Sequence, residues 1–262
     1  MNISLSGKNA IVCGSTQGIG KAIAIELASM GAGITAVARN EMKLKELMSA
    51  LPSDKEQKHN YFIADFSHPQ ELESELKKHL NQNPTPDILI NNTGGPPAGQ
   101  AIDASIDAFV SAFSNHVVCN QILAQHVVPG MKEKGYGRII NIISTSVKEP
   151  IKGLGVSNTT RGAVASWAKT LANELGQFGI TVNNVLPGFT NTDRLSSLLS
   201  NKAKKAGKTN DEVVQDSKSI IPAGRFADPE EIAYAVAFLS SPSASYINGI
   251  NLPVDGGRIG SL

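Results

Sequence analysis

Apolar positions along this chain fall into short runs separated by longer amphipathic stretches. Ala10 to Cys13 is such a run, and Ile23, Leu27 and Met30 follow it at helical spacing. Further strand-like runs are Ile34 to Ala38, Tyr61 to Ala64, Ile88 to Ile90, Arg138 to Ile143, Ile180 to Leu186 and Ile250 to Val254. Residues 41 to 50 carry Met42, Leu44 and Leu47 on a charged segment, and Pro69 opens a stretch rich in Glu and Lys, which is a helix-start signal. About seven strands alternating with helices predict an α/β fold, a doubly wound parallel sheet covered on both faces. No repeat or low-complexity linker interrupts the alternation, so residues 1–262 read as a single domain.

One stretch breaks the rhythm. Residues 188–219 are polar, rich in Ser, Lys and Asn, and follow Pro187-Gly188. An insertion after the C-terminal end of a strand lies where ligands bind in open α/β sheets. It is expected to be a substrate lid with a short helix around Leu195 to Ser200. The plainer alternative is a surface loop.

Composition narrows the function classes. With 41% hydrophobic and 18% charged residues, the chain has the make-up of an ordinary globule. A net charge of +1 gives no electrostatic footprint for nucleic acid or an anionic membrane. The N-terminal residues hold no apolar signal core, and no apolar run is long enough to span a bilayer, so a cytoplasmic location is expected. Cys13 and Cys119 read as reduced, buried thiols, and the five histidines are scattered, so no metal site is expected.

The first apolar run ends in Gly14, Ser15, Thr16, Gln17, Gly18, Ile19 and Gly20. Glycines here let a tight turn bring its backbone close to phosphate, and the helix that follows points its N-terminus at the same place. In a strand–turn–helix context this is a dinucleotide site of the Rossmann-like kind. The second strand ends in Val37-Ala38-Arg39-Asn40. A site for NAD(H) usually carries an acid there, whereas Arg39 suits a 2′-phosphate, so NADP(H) is favoured over NAD(H). Asp65 can accept from an adenine amino group or cap a turn.

The chain also contains Asn91-Asn92-Thr93-Gly94, Pro187-Gly188 with Thr192 shortly after, Tyr246-Ile247-Asn248-Gly249, and Val254-Asp255-Gly256-Gly257. With the first glycine turn, these motifs make the chain resemble the short-chain dehydrogenase/reductase family over nearly its whole length. The resemblance is to the group that includes the 3-oxoacyl-carrier-protein reductases. Cys13 and Thr93 depart from it, standing where threonine and alanine are usual. The resemblance implies cofactor contacts at Asn92, Gly94, Pro187, Gly188 and Thr192. It also implies a homodimer or homotetramer, paired through the helix over 162–175 with Val164, Trp167, Ala168, Leu171 and Leu175. The residues themselves leave open that these five only pack on the sheet.

The family's catalytic tetrad is Asn, Ser, Tyr and Lys. Carried over, Asn115 and Ser144 take the first two positions, Ser157 replaces the Tyr and Arg161 replaces the Lys. Ser144 precedes Ser157 by thirteen residues, the family's spacing, and Ser157 and Arg161, four apart, share a helix face. Serine is a far weaker acid than tyrosine, and arginine does not release its proton. Ser157 is also a good helix cap. Arg161 can still bind the nicotinamide ribose or developing negative charge, and Ser144 can still donate to a substrate oxygen. Lys148 and Arg194, in loops expected to border the cleft, join Arg161 in favouring a small anionic substrate. Two reactions fit: ketone reduction with water as the acid, or hydride addition to an electron-poor alkene conjugated to a carbonyl. The resemblance extends to divergent family members that lack the tyrosine and reduce alkenes. The rival from another class is a dinucleotide-binding sensor or scaffold with little catalysis.

Overall fold

The computed structural model describes residues 1–261. Its strands are β1 Asn9–Cys13, β2 Gly33–Ala38, β3 Asn60–Ile63, β4 Ile88–Asn91, β5 Gly137–Ile142, β6 Ile180–Pro187 and β7 Asn251–Val254. They form one parallel sheet in the order β3-β2-β1-β4-β5-β6-β7. The order reverses direction between β1 and β4, and such a switch point opens a crevice at the strands' C-terminal ends.

The helices are α1 Gly18–Ser29, α2 Glu41–Ala50, α3 Pro69–Gln82, α4 Ile106–Phe113, α5 Cys119–Lys134, α6 Gly155–Leu175, α7 Asp193–Ala206, α8 Asn210–Ser219 and α9 Pro229–Ser240. Two apolar cores account for the three layers. Ile23 and Leu27 of α1, Leu44 and Leu47 of α2, and Val236 and Leu239 of α9 pack on one face with Val12, Ile34 and Ile90. Leu72 and Leu76 of α3, Leu123 and Val127 of α5, and Ala168 and Ala172 of α6 cover the other with Ile11, Leu89 and Ile139. The central strands are largely apolar because both of their faces are covered.

A polar line crosses this apolar sheet. Asn91, Asn141, Asn184 and Asn251 occupy matched positions on β4 to β7. Each Nδ2 donates to the next Oδ1 at 2.8 Å. A one-residue slip of any strand would break this line, so it fixes the register as well as satisfying buried amides.

The polar stretch after β6 is more ordered than its composition suggests. The expected short helix at Leu195 to Ser200 extends over all of α7, and α8 follows it. Thr192 caps α7 by accepting from the Leu195 N–H at 3.3 Å, and Thr209 and Glu212 form a reciprocal capping box on α8. Leu195, Leu199, Ala203, Val213, Ile221 and Phe226 give the pair its own small core.

One detail of α6 differs from the sequence reading. The helix starts at Gly155 with Leu154 at the cap position, so Ser157 lies in the first turn as a buried residue rather than as the cap. Val164, Ala168 and Leu175 are spent on the subunit's own core. The exposed apolar stripe is instead on the preceding segment, where Ile106, Val110 and Phe113 of α4 continue to Val118. Between α4 and α5, Ser114–Val118 forms a π-helical turn.

Candidate active site

The turn between β1 and α1 requires its glycines. Gly14 and Gly18 have φ of 59° and 51°, in the left-handed region. A Cβ on Gly14 would stand 2.6 Å from the Asn92 carbonyl oxygen, and one on Gly20 would strike the Gly14 carbonyl. Asn92 Nδ2 donates to the carbonyls of Cys13 and Gly14 at 3.2 and 3.3 Å, so the exit of β4 holds the turn in shape. Ser15 is buried, with its N–H on the Val37 carbonyl at 3.4 Å, while Thr16, Gln17 and Ile19 are at least partly accessible. Across the crevice, the Thr192 methyl lies 3.1 Å from where a Gly18 Cβ would be, and a Gly188 Cβ would lie 2.7 Å from Asp255 Cα. Thr192, shortly after the Pro187-Gly188 exit, therefore faces the first turn, while Gly188 itself packs on Asp255. Such a cradle, closed to any side chain and set at a helix N-terminus, fits a dinucleotide pyrophosphate.

At the end of β2, the exposed Arg39 reaches Asp65 with Nη1–Oδ2 at 3.6 Å. Partial burial works against the Asp65 carboxylate. The Ser67 N–H and hydroxyl and then Arg39 outweigh it and hold the carboxyl below its ordinary range. Gly94 is exposed at the exit of β4.

Arg161 is buried at the C-terminal ends of the central strands. It is only 7% exposed, its Nη1 donates to the Ile142 carbonyl at 3.0 Å, and its Nη2 reaches the Thr93 carbonyl at 3.5 Å. The guanidinium thus sits across the ends of β4 and β5. Burial, and after it the charge of Arg194, lower it to about 10, so it remains a cation at neutral pH. Arg194 enters from the start of α7 and donates Nη2 to the Pro96 carbonyl at 3.2 Å. The residue as a whole is exposed, but its guanidinium is partly desolvated, which lowers its pKa as well.

His116 went unrecognised in the sequence, where it reads as one scattered histidine. It is 2% exposed, and its Nδ1 pairs with Thr93 Oγ1 at 2.5 Å. Burial first, and then the charges of Arg161 and Arg194, draw it down to about 3, so the imidazole is neutral under ordinary conditions. The available signal was its position beside Asn115, together with the unusual threonine at 93. Asn115 itself turns aside: with its amide oriented to donate, Nδ2 reaches the carbonyls of Phe66 at 2.8 Å and Ser111 at 3.2 Å.

Ser144 follows β5 and caps the short turn Thr145–Val147, its Oγ accepting from the Ser146 N–H at 3.1 Å. Lys148 ends that turn, half-buried, with its N–H on the Thr145 carbonyl at 3.0 Å. Arg258, near the C-terminus, donates to Thr145 Oγ1 at 3.3 Å and stacks on Phe189. Among the described residues, no group of His, Cys, Asp and Glu is arranged to hold a metal ion, and no helix is long and apolar enough to cross a membrane.

Fold and first turn together define a dinucleotide-binding α/β oxidoreductase class. A family model described as Enoyl-(Acyl carrier protein) reductase matches residues 14–258. The chain belongs to the short-chain dehydrogenase/reductase family and is an NAD(P)-dependent oxidoreductase of that family. It is 34% identical over 257 residues to the 3-oxoacyl-(acyl-carrier-protein) reductase FabG of Vibrio cholerae, covering 97% of this chain and 98% of that protein. Among solved structures it is similar to YwfH, described as an NADPH-dependent reductase involved in bacilysin biosynthesis, with a TM-score of 0.92, 30% identity and coverage of 98% and 100% of the two chains. It is also similar to L-sorbose reductase from Gluconobacter frateurii complexed with NADPH and L-sorbose, with a TM-score of 0.93, 31% identity and full coverage of both chains.

Proposed function

We propose that this protein uses NADPH to reduce an alkene conjugated to a carbonyl or carboxyl group on a small, anionic substrate. The observation that carries the reading is Arg161: a buried, permanently charged group at the family's lysine position, one turn beyond a serine at the family's tyrosine position. A ketone needs a proton delivered to oxygen as hydride arrives, and neither Ser157 nor Arg161 is built to deliver one. Hydride addition to an alkene asks only that the negative charge on the substrate's oxygen be held while solvent supplies a proton later. A fixed cation and a hydroxyl meet that demand, and Arg161 and Ser144 take these roles. Asn115 and Ser157 act on the shape of the cleft.

Gly14, Ser15, Thr16, Gln17, Gly18, Ile19 and Gly20 hold the cofactor's pyrophosphate. Arg39 meets its 2′-phosphate, Asp65 the adenine, and Asn92, Gly94, Arg161, Pro187, Gly188 and Thr192 its nicotinamide half. When bound, the cofactor supplies the hydride. The chain's presence among NADPH-linked reductases supports that choice of cofactor. The helical pair α7 and α8 serves as the substrate lid. The exposed stripe Ile106, Val110, Phe113 and Val118 supports a homo-oligomer.

Incubation of the protein with NADPH and matched pairs of compounds tests the reading. The pairs are an α,β-unsaturated ketone or acid and its saturated counterpart, followed by nicotinamide absorbance and product mass. Alkene reduction with retention of the carbonyl is expected. Reduction of saturated ketones alone would overturn it, and tight NADPH binding with no turnover would favour the sensor or scaffold.

A further inference from the structure

The two arginines of the cleft share one place. Built on the backbone of Gly95, a Cβ would lie 2.7 Å from Arg194 Nη2 and 3.6 Å from Arg161 Nη2. The two nitrogens are therefore no further apart than the sum of those distances. They arrive from opposite walls, Arg161 from α6 and Arg194 from α7, with the loop after β4 between them. Like charges this close repel, and the repulsion is felt as a reduced affinity for protons at Arg161.

No acidic side chain among the described residues is paired with either of them. Their hydrogen-bond acceptors are the neutral backbone carbonyls of Ile142, Thr93 and Pro96. His116, the third basic side chain facing them, is neutral and adds no charge. Each guanidinium carries five N–H donors, so most remain available beyond these carbonyls. A buried cation such as Arg161 is ordinarily paired, and among the described residues no anion fills that role.

We propose that Arg161 and Arg194 form a two-armed clamp for a carboxylate of the substrate, seated at Gly95 between α6 and the lid. The inference rests on the reading above that the cleft at Arg161 is where the substrate is reduced. Charge favours a carboxylate over a phosphate. A monoanion leaves one positive charge in excess in the resting complex, and that excess meets the second negative charge that arises when hydride reaches a bond conjugated to the carboxylate. A phosphate dianion would neutralise both arms before any chemistry, leaving none for the transition state. The overall change balances: one hydride, carrying both electrons of the reduction, enters at one alkene carbon, the π pair moves toward the carboxylate, and a proton from water completes the other carbon. Since Arg194 starts α7, filling the clamp also draws the lid toward the loop after β4.

The test reads binding rather than turnover. The NADPH complex is titrated with trans-cinnamate, with its neutral isostere trans-cinnamamide, and with inorganic phosphate, following nicotinamide fluorescence or calorimetry. Cinnamate is expected to bind at least about 10-fold more tightly than the amide, one charge-assisted contact being the margin. Arg194→Gln should abolish that preference while NADPH affinity is unchanged, and Arg194→Lys should restore part of it. Equal binding of acid and amide, binding of neither, tighter binding of phosphate, or a preference that survives Arg194→Gln would each overturn the clamp. A clear preference with no reduction of cinnamate supports the clamp and counts against the alkene-reductase reading alone.

Discussion

Thr93 and His116 are joined through Oγ1 and Nδ1 at 2.5 Å, linking the exit of β4 to the π-helical turn before α5. Threonine is unusual at its position in the family, and the structure supplies a reason for it. A buried imidazole beside two guanidiniums must stay neutral and must have a partner, and the threonine hydroxyl is that partner.

His116 gives a pH signature. Its pKa falls from the ordinary 6.5 to about 3 in the folded protein. Between those values the unfolded chain binds a proton that the folded one refuses, so stability is fully present above pH 6.5 and declines as pH falls toward 3. The slope contributed is up to about 1.4 kcal/mol per pH unit. Chemical denaturation at several pH values should show this slope in the parent and its loss in His116→Gln. Parallel curves would contradict the assignment.

Under the proposed reading, Ser157→Tyr with Arg161→Lys supplies the acid and the helper that the family uses at these positions. General-acid assistance is worth about 100-fold to 10,000-fold, so reduction of an activated ketone should rise visibly. A double variant that folds, binds NADPH and gains nothing on ketones would mean that the missing tyrosine is not what limits carbonyl reduction.

Arg39→Ala should weaken NADPH binding about 10-fold and leave NADH nearly unaffected, the margin of one lost charge-assisted phosphate contact. The exposed Arg39–Asp65 pair is worth little by itself, so the arginine can turn to a phosphate at small cost. Titration with both nucleotides measures this, and an equal loss for the two would refute it.

Asn141→Leu removes the middle of the asparagine line and leaves Asn91 Nδ2 and Asn184 Oδ1 without partners. Two buried orphans cost about 2–6 kcal/mol together, which in a chain of this size lowers Tm by roughly 10 °C. A Tm within about 2 °C of the parent would show that the line bears no weight.

Val110→Asp with Phe113→Asp places charge on the exposed stripe of α4. A homo-oligomer that uses this face should become a monomer by light scattering, with its spectrum of secondary structure intact. An unchanged mass would move the interface elsewhere.

The sheet was legible because each strand is an apolar run between turn residues, and the cofactor cradle because its glycines have no substitute. The helices α7 and α8 were less so: Leu195, Leu199 and Ala203 are spaced four apart but embedded in Ser, Lys and Asn, so the polar face hid the periodicity. The Thr209–Glu212 capping box was readable and shows where composition misled. Arg161 was singled out through the resemblance to the family, the spacing from Ser144 supporting it. Its meeting with Arg194 was not readable in detail, since residues 95, 161 and 194 converge only through three separate loops and helix starts. His116 depended on the π-helical turn, which leaves no pattern in a single sequence.

That turn has a mechanical consequence. One extra residue in a helix rotates all that follows by about 100° relative to what precedes. Ser114–Val118 thereby carries His116 inward to the arginines while Phe113 and Val118, at its two ends, face outward. The wall of the cleft and the exposed stripe of α4 are therefore drawn from one short stretch of backbone, and neither can be re-aimed in sequence without moving the other.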